Sequence, residues 1–329
     1  MSDDKAVSAV SIPGVPVPLS TAVLGTMNMG DTTDAATSER LFEEAIAAGI
    51  TGIDCANGYA RGTTEALIAP WVKRHRDEIV LSTKAGMPHP DAGAHAPLSR
   101  EGLRASVEGS LRRLDVDRID LFYLHQPDRE TPIRETLETV AELREEGKIL
   151  AFGVSNYAAW QALDAIRAAE DLGISGPVVG QNVYNLLARR IEDEWIEFAG
   201  HHELLTMCYN PLAGGLLSRP PRDGAAPARF HESSLAEMYK KRYWTDELLT
   251  ATTGLARVAD DSDLPMYELS LRWLIAQEGV SSVLIGANRV EHLRANIAAL
   301  AKGPLPADLL DACDAISAPL KGSMPPYNR

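Results

Sequence analysis

The sequence predicts an α/β fold, a single (α/β)8 TIM barrel, and three observations lead to this prediction. Eight short apolar runs alternate with stretches of helical periodicity along most of the chain. The length of 329 residues suits one barrel with additions. No Gly-x-Gly-x-x-Gly motif follows an early run, which argues against the alternative, an open doubly wound sheet. Eight parallel strands with right-handed crossovers close most simply into a barrel.

The composition restricts the classes of partner. Apolar residues make up 45% of the chain and charged residues 24%, which is ordinary for a globular protein with a substantial core. The net charge of −14 argues against nucleic acid or an anionic membrane as the main partner. No run approaches the roughly 20 apolar residues of a membrane span, and the N-terminus lacks the pattern of a signal peptide. We therefore expect a cytoplasmic protein, either a monomer or a homo-oligomer.

The three cysteines are predicted to be free thiols, because they are widely spaced and have no metal-ligand rhythm: Cys55, Cys208 and Cys313. His89 and His95 share a loop, but no third ligand follows in rhythm. We predict no metal site.

Residues 1–20 are predicted to form a β-hairpin that plugs one end of the barrel. Two apolar runs, Val7–Val10 and Val15–Leu19, flank Pro13-Gly14, and the prolines exclude a central strand. The barrel strands are predicted at Thr21–Gly25, Gly52–Asp54, Ile79–Lys84, Ile119–Leu124, Ile149–Val154, Pro177–Gln181, Leu204–Tyr209 and Ser282–Ile285.

Helices are predicted between these strands from apolar periodicity and from capping residues. Ser99 and Pro132 mark starts, and Gly49, Gly147 and Gly173 mark ends. The predicted helices are Ser38–Ala48, Thr64–His75, Arg100–Leu114, Pro132–Glu146, Ala158–Glu170, Arg189–His201, Tyr267–Gln277 and Val290–Ala299.

Two further segments complete the single domain of residues 1–329, a lid insert at 211–244 and a C-terminal tail at 303–329. The insert is rich in Pro, Gly and Arg, and long irregular segments are often functional. Its basic residues suit a pyrophosphate, although a solvated loop and helix that bind nothing is the alternative. These residues are Arg219, Arg222, Arg229, Lys240, Lys241 and Arg242.

Four polar residues lie near the C-terminal ends of predicted strands, where barrel active sites form. Asp54 and Lys84 end their strands, His125 follows the next strand, and Tyr59 lies five residues beyond Asp54. Taken singly, Asp54 could cap a helix, Lys84 could extend into solvent and His125 could be a core histidine. Taken together they form a set. A buried Lys84 needs a counter-charge, and Asp54 can supply it.

These four side chains are the groups needed to protonate a carbonyl. A phenol titrates near pH 10 when unperturbed, so it becomes a useful acid only when a nearby cation stabilises its anion. Lys84 can provide that cation, and Asp54 can hold it in place. His125 can donate a hydrogen bond to the substrate oxygen.

The segment Ile53-Asp54-Cys55-Ala56-Asn57-Gly58-Tyr59, followed by Gly62 and Glu65, resembles the signature of the aldo-keto reductase superfamily, in particular the long-chain members related to potassium channel β subunits. Other motifs of that family appear in the same order between about Gly25 and Asn296. They are the strand-ending lysine, Asp120–His125, Gly153–Tyr157, Gln181–Asn185, Tyr209–Leu212 and Ile285–Ala287.

The resemblance implies an (α/β)8 barrel that interconverts a carbonyl and an alcohol with NADPH. It implies that Tyr59 is the general acid, that Lys84 and Asp54 tune it, and that His125 orients the carbonyl. Channel β subunits share this fold, so a regulatory or scaffold subunit that binds NADP(H) with little turnover is the alternative. The presence of His125 favours catalysis. A third reading is a phosphate-binding isomerase or aldolase with Lys84 as a Schiff-base amine.

The resemblance also places the cofactor, NADP(H), with NAD(H) as the alternative. Ser155, Asn156 and Gln181 would bind the nicotinamide carboxamide, and Tyr209 would stack on its ring. For Gln181 alone, a hydrogen bond inside the barrel is the other interpretation. The ribose and pyrophosphate region would contact Thr26, Met27, Asn210, Pro211, Leu212 and Gly214.

The adenosine end of the cofactor is expected at the helix that begins after Gly286, because helix N-termini attract phosphate. Arg289 is the candidate for the 2′-phosphate, with Asn288 as the neighbouring possibility. His292 and Asn296 share a helical face with Asn288 and would line the adenine. Ala295 departs from relatives that have glutamate there. Candidates that would face the substrate, a small-molecule carbonyl, are Met27, Met29, Asn57, Met87 and Trp160.

Overall fold

The computed structural model describes residues 8–219 and 226–322, and these residues form a closed barrel of eight parallel strands. A separate antiparallel pair precedes the barrel. The described strands are β1 Ala9–Val10, β2 Leu19–Ser20, β3 Ala22–Gly25, β4 Gly52–Asp54, β5 Val80–Ala85, β6 Ile119–Leu124, β7 Ile149–Ser155, β8 Val179–Val183, β9 Leu205–Tyr209 and β10 Val280–Ile285. The barrel order is β10-β3-β4-β5-β6-β7-β8-β9, so the predicted fold class is confirmed.

The helices surround the barrel and mostly follow the predicted positions. The helix at Arg100–Leu114 has the predicted bounds, and its Ser99 side chain accepts a hydrogen bond from the Gly102 amide. The described helices are α1 Ala35–Ala47, α2 Thr64–Arg74, α3 Arg100–Leu114, α4 Ile133–Glu145, α5 Ala159–Asp171, α6 Trp195–His201, α7 Ala236–Tyr243, α8 Asp246–Asp261, α9 Met266–Ile275, α10 Val290–Ala301 and α11 Ala307–Ser317.

Strand β6 shows why the sequence folds this way. Successive side chains of a strand point to opposite faces. Leu121 and Tyr123 join the cluster inside the barrel, whereas Phe122 and Leu124 pack in the cluster beneath the helices. All four are fully buried. An unbroken apolar run is therefore required, because both faces of a barrel strand are covered.

The predicted N-terminal β-hairpin is confirmed in the described part of residues 1–20. Strands β1 and β2 pair antiparallel, with Val10 opposite Leu19. Ile12 and Leu19 are 2% exposed and belong to the cluster inside the barrel. The hairpin thus fills one end of the barrel interior and leaves the strand C-termini free to form a site at the other.

Two predictions need correction. The helix predicted at Arg189–His201 is a 3-10 turn at Arg190–Asp193 followed by α6, because the backbone leaves the helical conformation at Glu194 (φ −153°, ψ −45°). The sequence reading also assigned no helix to α8 or α11, although Thr245 caps α8 by accepting from the Leu248 amide.

No helix of residues 8–219 and 226–322 is long and apolar enough to cross a membrane.

Candidate active site

The C-terminal ends of adjacent strands bring the predicted chemistry together. Asp54 is the last residue of β4 and pairs in register with Ser82 of β5. Lys84 lies two residues beyond Ser82 and therefore points to the same face. His125 directly follows β6, whose Tyr123 is in register with Lys84. Asp54, Lys84 and His125 thus come from three neighbouring strands.

Lys84 is fully buried, and each of its three ammonium hydrogens has an acceptor. The Nζ atom donates to Asp54 Oδ2 at 2.5 Å, to the Cys55 carbonyl at 2.7 Å and to the Tyr59 hydroxyl oxygen at 3.0 Å. Burial alone would lower the pKa of Lys84. The Asp54 carboxylate and the Tyr59 oxygen outweigh that effect and raise the pKa above its ordinary value. The lysine remains an ammonium beside the phenol.

The Tyr59 hydroxyl oxygen accepts from Lys84, so its own hydrogen remains available for another acceptor. Burial raises the pKa of Tyr59 to about 12, and the Lys84 charge opposes that rise. The cation therefore limits the increase in the pKa of Tyr59 and does not produce a net decrease. At neutral pH Tyr59 carries its proton.

His125 lies beside Tyr59, with ring centroids 6.2 Å apart and planes at 78°. Burial, assisted by the charge of Lys84, lowers the pKa of His125 to about 3. A neutral imidazole has one N–H group and can donate one hydrogen bond. Its Nδ1 is buried and has no hydrogen-bond partner within the described residues.

The turn that carries Tyr59 has a strained backbone and is followed by a buried, hydrogen-bonded glutamate. Ala60 and Arg61 have φ values of 44° and 57°, a left-handed conformation that costs energy for residues with a Cβ. Behind the turn, the fully buried Glu65 accepts from the Thr83 hydroxyl at 2.5 Å and from Arg113 Nε at 2.8 Å. Thr83 precedes Lys84, and Glu65 lies in the first turn of α2, soon after the turn that carries Tyr59, so these hydrogen bonds connect the chain next to Lys84 with the chain next to Tyr59.

The second oxygen of Asp54 has partners that sequence reasoning missed. Asp54 Oδ1 accepts from Ser82 Oγ at 2.9 Å and from Gln181 Nε2 at 3.0 Å. The hydrogen bond inside the barrel, named as the other interpretation for Gln181, is therefore present. Ser82 could have been found by the period of two that places it on the same face as Lys84.

Ser155, Asn156 and Tyr209 lie together at the ends of β7 and β9. Asn156 has φ 60° and is exposed at the mouth. The Tyr209 hydroxyl donates to Asn156 Oδ1 at 2.7 Å, and Asn156 Nδ2 donates to the His125 carbonyl at 2.9 Å. Ser155 Oγ donates to the Gln181 carbonyl at 2.9 Å. Amide, hydroxyl and ring groups thus converge next to His125.

The residues predicted for the ribose and pyrophosphate region differ in accessibility. Thr26 is fully buried and its hydroxyl donates to the Asp54 carbonyl at 2.9 Å, so its side chain supports the strand end. Pro211 is also buried. The remaining four residues are partly exposed: Met27, Asn210, Leu212 and Gly214.

The N-terminus of α10 presents the residues predicted for the adenosine end. Gly286, Asn288, Arg289 and His292 are exposed, whereas Asn296 is buried. His292 Nδ1 and Asn288 Oδ1 are 3.1 Å apart, which confirms that these two side chains share a face. Arg289 is the N-cap residue and makes no side-chain capping bond within the described residues, so the first amides of the helix are open to an anion.

The described part of the lid insert is tied to the loop after β3. Asp31 accepts from the Ser233 hydroxyl at 2.7 Å and from the Ser234 amide at 3.2 Å. Phe230 is fully buried, with its ring centroid 5.4 Å from that of Trp244. Hydrogen bonds to Asp31 therefore hold the insert to the loop after β3, and the buried Phe230 packs it internally against Trp244.

Two of the six basic lid residues point inward. The Arg229 guanidinium lies 5.3 Å from the centre of the Tyr239 ring, and its buried Nη1 has no hydrogen-bond partner among the residues described. Arg242 lies 6.0 Å from the centre of the Tyr209 ring. Three of the others are exposed, Arg219, Lys240 and Lys241, and Arg222 lies outside the described residues.

The residues predicted to face the substrate differ in solvent exposure. Asn57 and Met29 are 0% and 1% exposed, so the prediction that they face the substrate is wrong. Both ends of the Asn57 amide are unpaired within the described residues. Met87 and Trp160 are 42% and 57% exposed, and Met27 is partly exposed. Trp160 is the second residue of α5.

All three cysteines are free and buried. Across residues 8–219 and 226–322, no group of three or more His, Cys, Asp or Glu side chains is arranged to hold a metal ion.

Sequence comparison identifies the kind of protein to which this site belongs. The model of the Aldo/keto reductase family matches residues 22–318. Aldo-keto reductase family 7 member A3 of Homo sapiens is 34% identical over 88% of this chain and 91% of its own length. Aflatoxin B1 aldehyde reductase member 2 of Rattus norvegicus is 33% identical over 95% of this chain and 88% of its own. A probable voltage-gated potassium channel subunit beta of Arabidopsis thaliana is 34% identical over 78% of this chain and 80% of its own length.

Proposed function

Because the chain belongs to the aldo/keto reductase family and is an oxidoreductase, we propose that it reduces an aldehyde, ketone or sugar carbonyl to the alcohol with NADPH, reversibly. The observation that carries this proposal is the fully bonded Lys84 beside Tyr59. Lys84 occupies the lone pair of the phenol oxygen at 3.0 Å and leaves the phenol hydrogen free for a substrate oxygen. A protonated phenol at neutral pH is the form needed for a general acid.

The remaining groups at the mouth support the same reaction. The neutral His125 can donate its single N–H to the carbonyl oxygen and fix the direction from which Tyr59 approaches. When the proton leaves Tyr59, the nearby ammonium stabilises the phenolate, and Asp54 keeps that ammonium in position. The same groups in reverse would take a proton from an alcohol.

The residues at the mouth fit a nicotinamide cofactor. Ser155, Asn156 and Gln181 would bind its carboxamide, with Tyr209 as the ring platform, and the group would supply the hydride when bound. The Nη1 of Arg229, which has no hydrogen-bond partner among the described residues, and the start of α10, where the described residues provide no side-chain cap, are suited to phosphate groups. Arg289 or Asn288 would then contact a 2′-phosphate, and His292 and Asn296 the adenine.

The test of the proposed acid is Tyr59→Phe. We expect carbonyl reduction to fall by about 10²–10⁴-fold, because that is the contribution of general acid catalysis. Cofactor affinity, measured by fluorescence titration, should stay nearly unchanged. The matched control is Tyr267→Phe on α9, distant in sequence from the site, which should keep the parental rate. If Tyr59→Phe turned over at the parental rate, Tyr59 would not be the acid.

The substrate class and the cofactor are tested together. A panel of aldehydes, sugars and quinones is incubated with NADPH and then with NADH, and the loss of nicotinamide absorbance is followed. We expect faster turnover with NADPH, since Arg289 offers a cation to the 2′-phosphate. An equal rate with both cofactors at matched concentration would contradict that preference.

A regulatory or scaffold role is the second candidate, and the similarity to the Arabidopsis thaliana protein favours it. Such a subunit would bind NADPH tightly and oxidise it very slowly with every carbonyl offered. The occupied positions Asp54, Tyr59, Lys84 and His125 argue for turnover. Tight NADPH binding without turnover across the whole panel would favour the regulatory role.

A further inference from the structure

The carboxylate of Asp54 is held from two sides of the barrel. Strands β4 and β8 lie four places apart in the closed order of eight, so Gln181 reaches Asp54 from the opposite wall. Ser82 reaches the same oxygen, Oδ1, from the neighbouring strand. Oδ2 is left to Lys84. Each oxygen of the carboxylate thus has its own donors.

From this division of donors we infer that Ser82 is a positioning residue that fixes Asp54 and thereby sets the acid strength of Tyr59. The inference rests on the proposed function, because it assigns Tyr59 the role of acid. Ser82 does not touch the phenol, and its effect passes through Asp54 and Lys84. Gln181 is its counterpart on the opposite wall.

The contacts of Ser82 support a specific role. Its side chain is 3% exposed, and its hydroxyl has a second acceptor in the Ile53 carbonyl at 3.3 Å. If the hydroxyl needed only an acceptor for its hydrogen, the Ile53 carbonyl would be sufficient. The shorter distance, 2.9 Å, is to Asp54. Hydrogen bonds to a charged group are stronger than those to a neutral carbonyl, so the carboxylate is the favoured partner.

The direction of the effect follows from the charges. The negative charge of Asp54 raises the pKa of Tyr59, because it opposes formation of a nearby phenolate. The Ser82 donor disperses part of that negative charge. Without the donor, Asp54 would neutralise more of the Lys84 charge and the phenol would become a weaker acid. Both directions of the reaction would slow together.

The test compares Ser82→Ala with Ser82→Thr, which keeps the hydroxyl. The reaction is reduction of the aldehyde that the panel shows to be fastest, and oxidation of its alcohol. We expect kcat/KM of Ser82→Ala to fall about three- to tenfold, with the rise of alcohol oxidation with pH displaced to higher pH. Cofactor affinity should be unchanged, and Ser82→Thr should restore both the rate and the pH profile.

Ser110→Ala is the matched control, because Ser110 is fully buried and its hydroxyl has no partner within the described residues. It should retain the parental profile. The inference is overturned if Ser82→Ala keeps the parental pH profile, whether or not its rate falls. Tyr59→Phe, measured in parallel, separates the two failures. Loss of activity in Tyr59→Phe with an unchanged Ser82→Ala profile removes only the positioning role.

Discussion

At the residue scale, the buried ammonium of Lys84 decides what chemistry this mouth can perform. Burying an isolated charge is very costly, but Lys84 has a carboxylate, a carbonyl and a hydroxyl oxygen as acceptors. These contacts keep it protonated. A protonated amine is not a nucleophile, so the structure does not support the Schiff-base reading of Lys84. Its charge is instead available to the oxygen of Tyr59.

His125 gives a pH dependence whose sign can be worked out. Its pKa in the folded protein is lowered from 6.5 to about 3. As the pH falls below 6.5 the unfolded chain takes up a proton at this position, whereas the folded protein does not. Stability contributed by the neutral imidazole is therefore present above pH 6.5 and is lost towards pH 3.

The predicted consequence concerns His125→Asn, which removes this titration. The difference in free energy of unfolding between wild type and variant should shift against wild type by up to about 1.4 kcal/mol per pH unit below pH 6.5. Urea denaturation between pH 7 and pH 4.5 measures it. His231→Asn, at a side chain 54% exposed, is the control for the substitution itself and should change the free energy of unfolding at pH 7 by less than about 0.5 kcal/mol. A difference for His125→Asn that did not vary with pH would contradict the prediction.

The residue types at strand ends could be predicted from sequence, but some of their partners could not. Asp54 and Lys84 end apolar runs, and the rule that barrel sites form at strand C-termini locates them. The Gln181 contact with Asp54 crosses the barrel, so it depends on the barrel's width and on side-chain reach. Likewise, the burial of Asn57 depends on the path of a strained turn. Neither property is visible in a local stretch of sequence.

At the element scale, the lid segment shows how a glycine permits close packing. Gly214 follows β9 with φ +69°, and a Cβ added there would lie 2.7 Å from the Tyr239 ring and 3.1 Å from the Phe230 ring. Tyr239 is in α7, and Phe230 is the buried anchor of the lid. Two later parts of the lid insert therefore pack directly on Gly214. The sequence indicated an insert at 211–244 but not this contact, because an irregular segment has no periodic pattern that shows which of its residues meet.

We predict that Gly214→Ala is more destabilising than a glycine replacement of similar backbone geometry. Gly303 has φ +75° and nothing within 4 Å of its added Cβ, so Gly303→Ala measures backbone strain alone, about 1–2 kcal/mol. Gly214→Ala should cost about 1–3 kcal/mol more, because two rings must move. Denaturant unfolding measures both free energies. Equal losses in the two variants would show that the rings of Tyr239 and Phe230 do not constrain position 214.

At the scale of the whole molecule, closure of the barrel leaves its interior to be filled from one end. Strand β10 pairs with β3 on one side and with β9 on the other, so the described barrel has no open edge. Its inner cluster contains Val23, Val80 and Leu121 from the strands together with Ile12 and Leu19 from the hairpin. Eight strands could be counted from sequence because each is an apolar run. The contribution of the hairpin is harder to predict. Its prolines exclude a central strand and its position precedes the barrel, but neither shows which of its side chains enter the core.

The final prediction tests whether the hairpin is part of that core. Ile12→Ala should lower the free energy of unfolding by about 2–5 kcal/mol, because the side chain is 2% exposed and its removal leaves a cavity at the barrel end. Met238→Ala, at an exposed side chain of the lid, should change it by less than about 0.5 kcal/mol. Both are measured by urea denaturation at pH 7. If Ile12→Ala were as mild as the control, the barrel would be stable without its plug, and the inner cluster would have to be sustained by the strands alone.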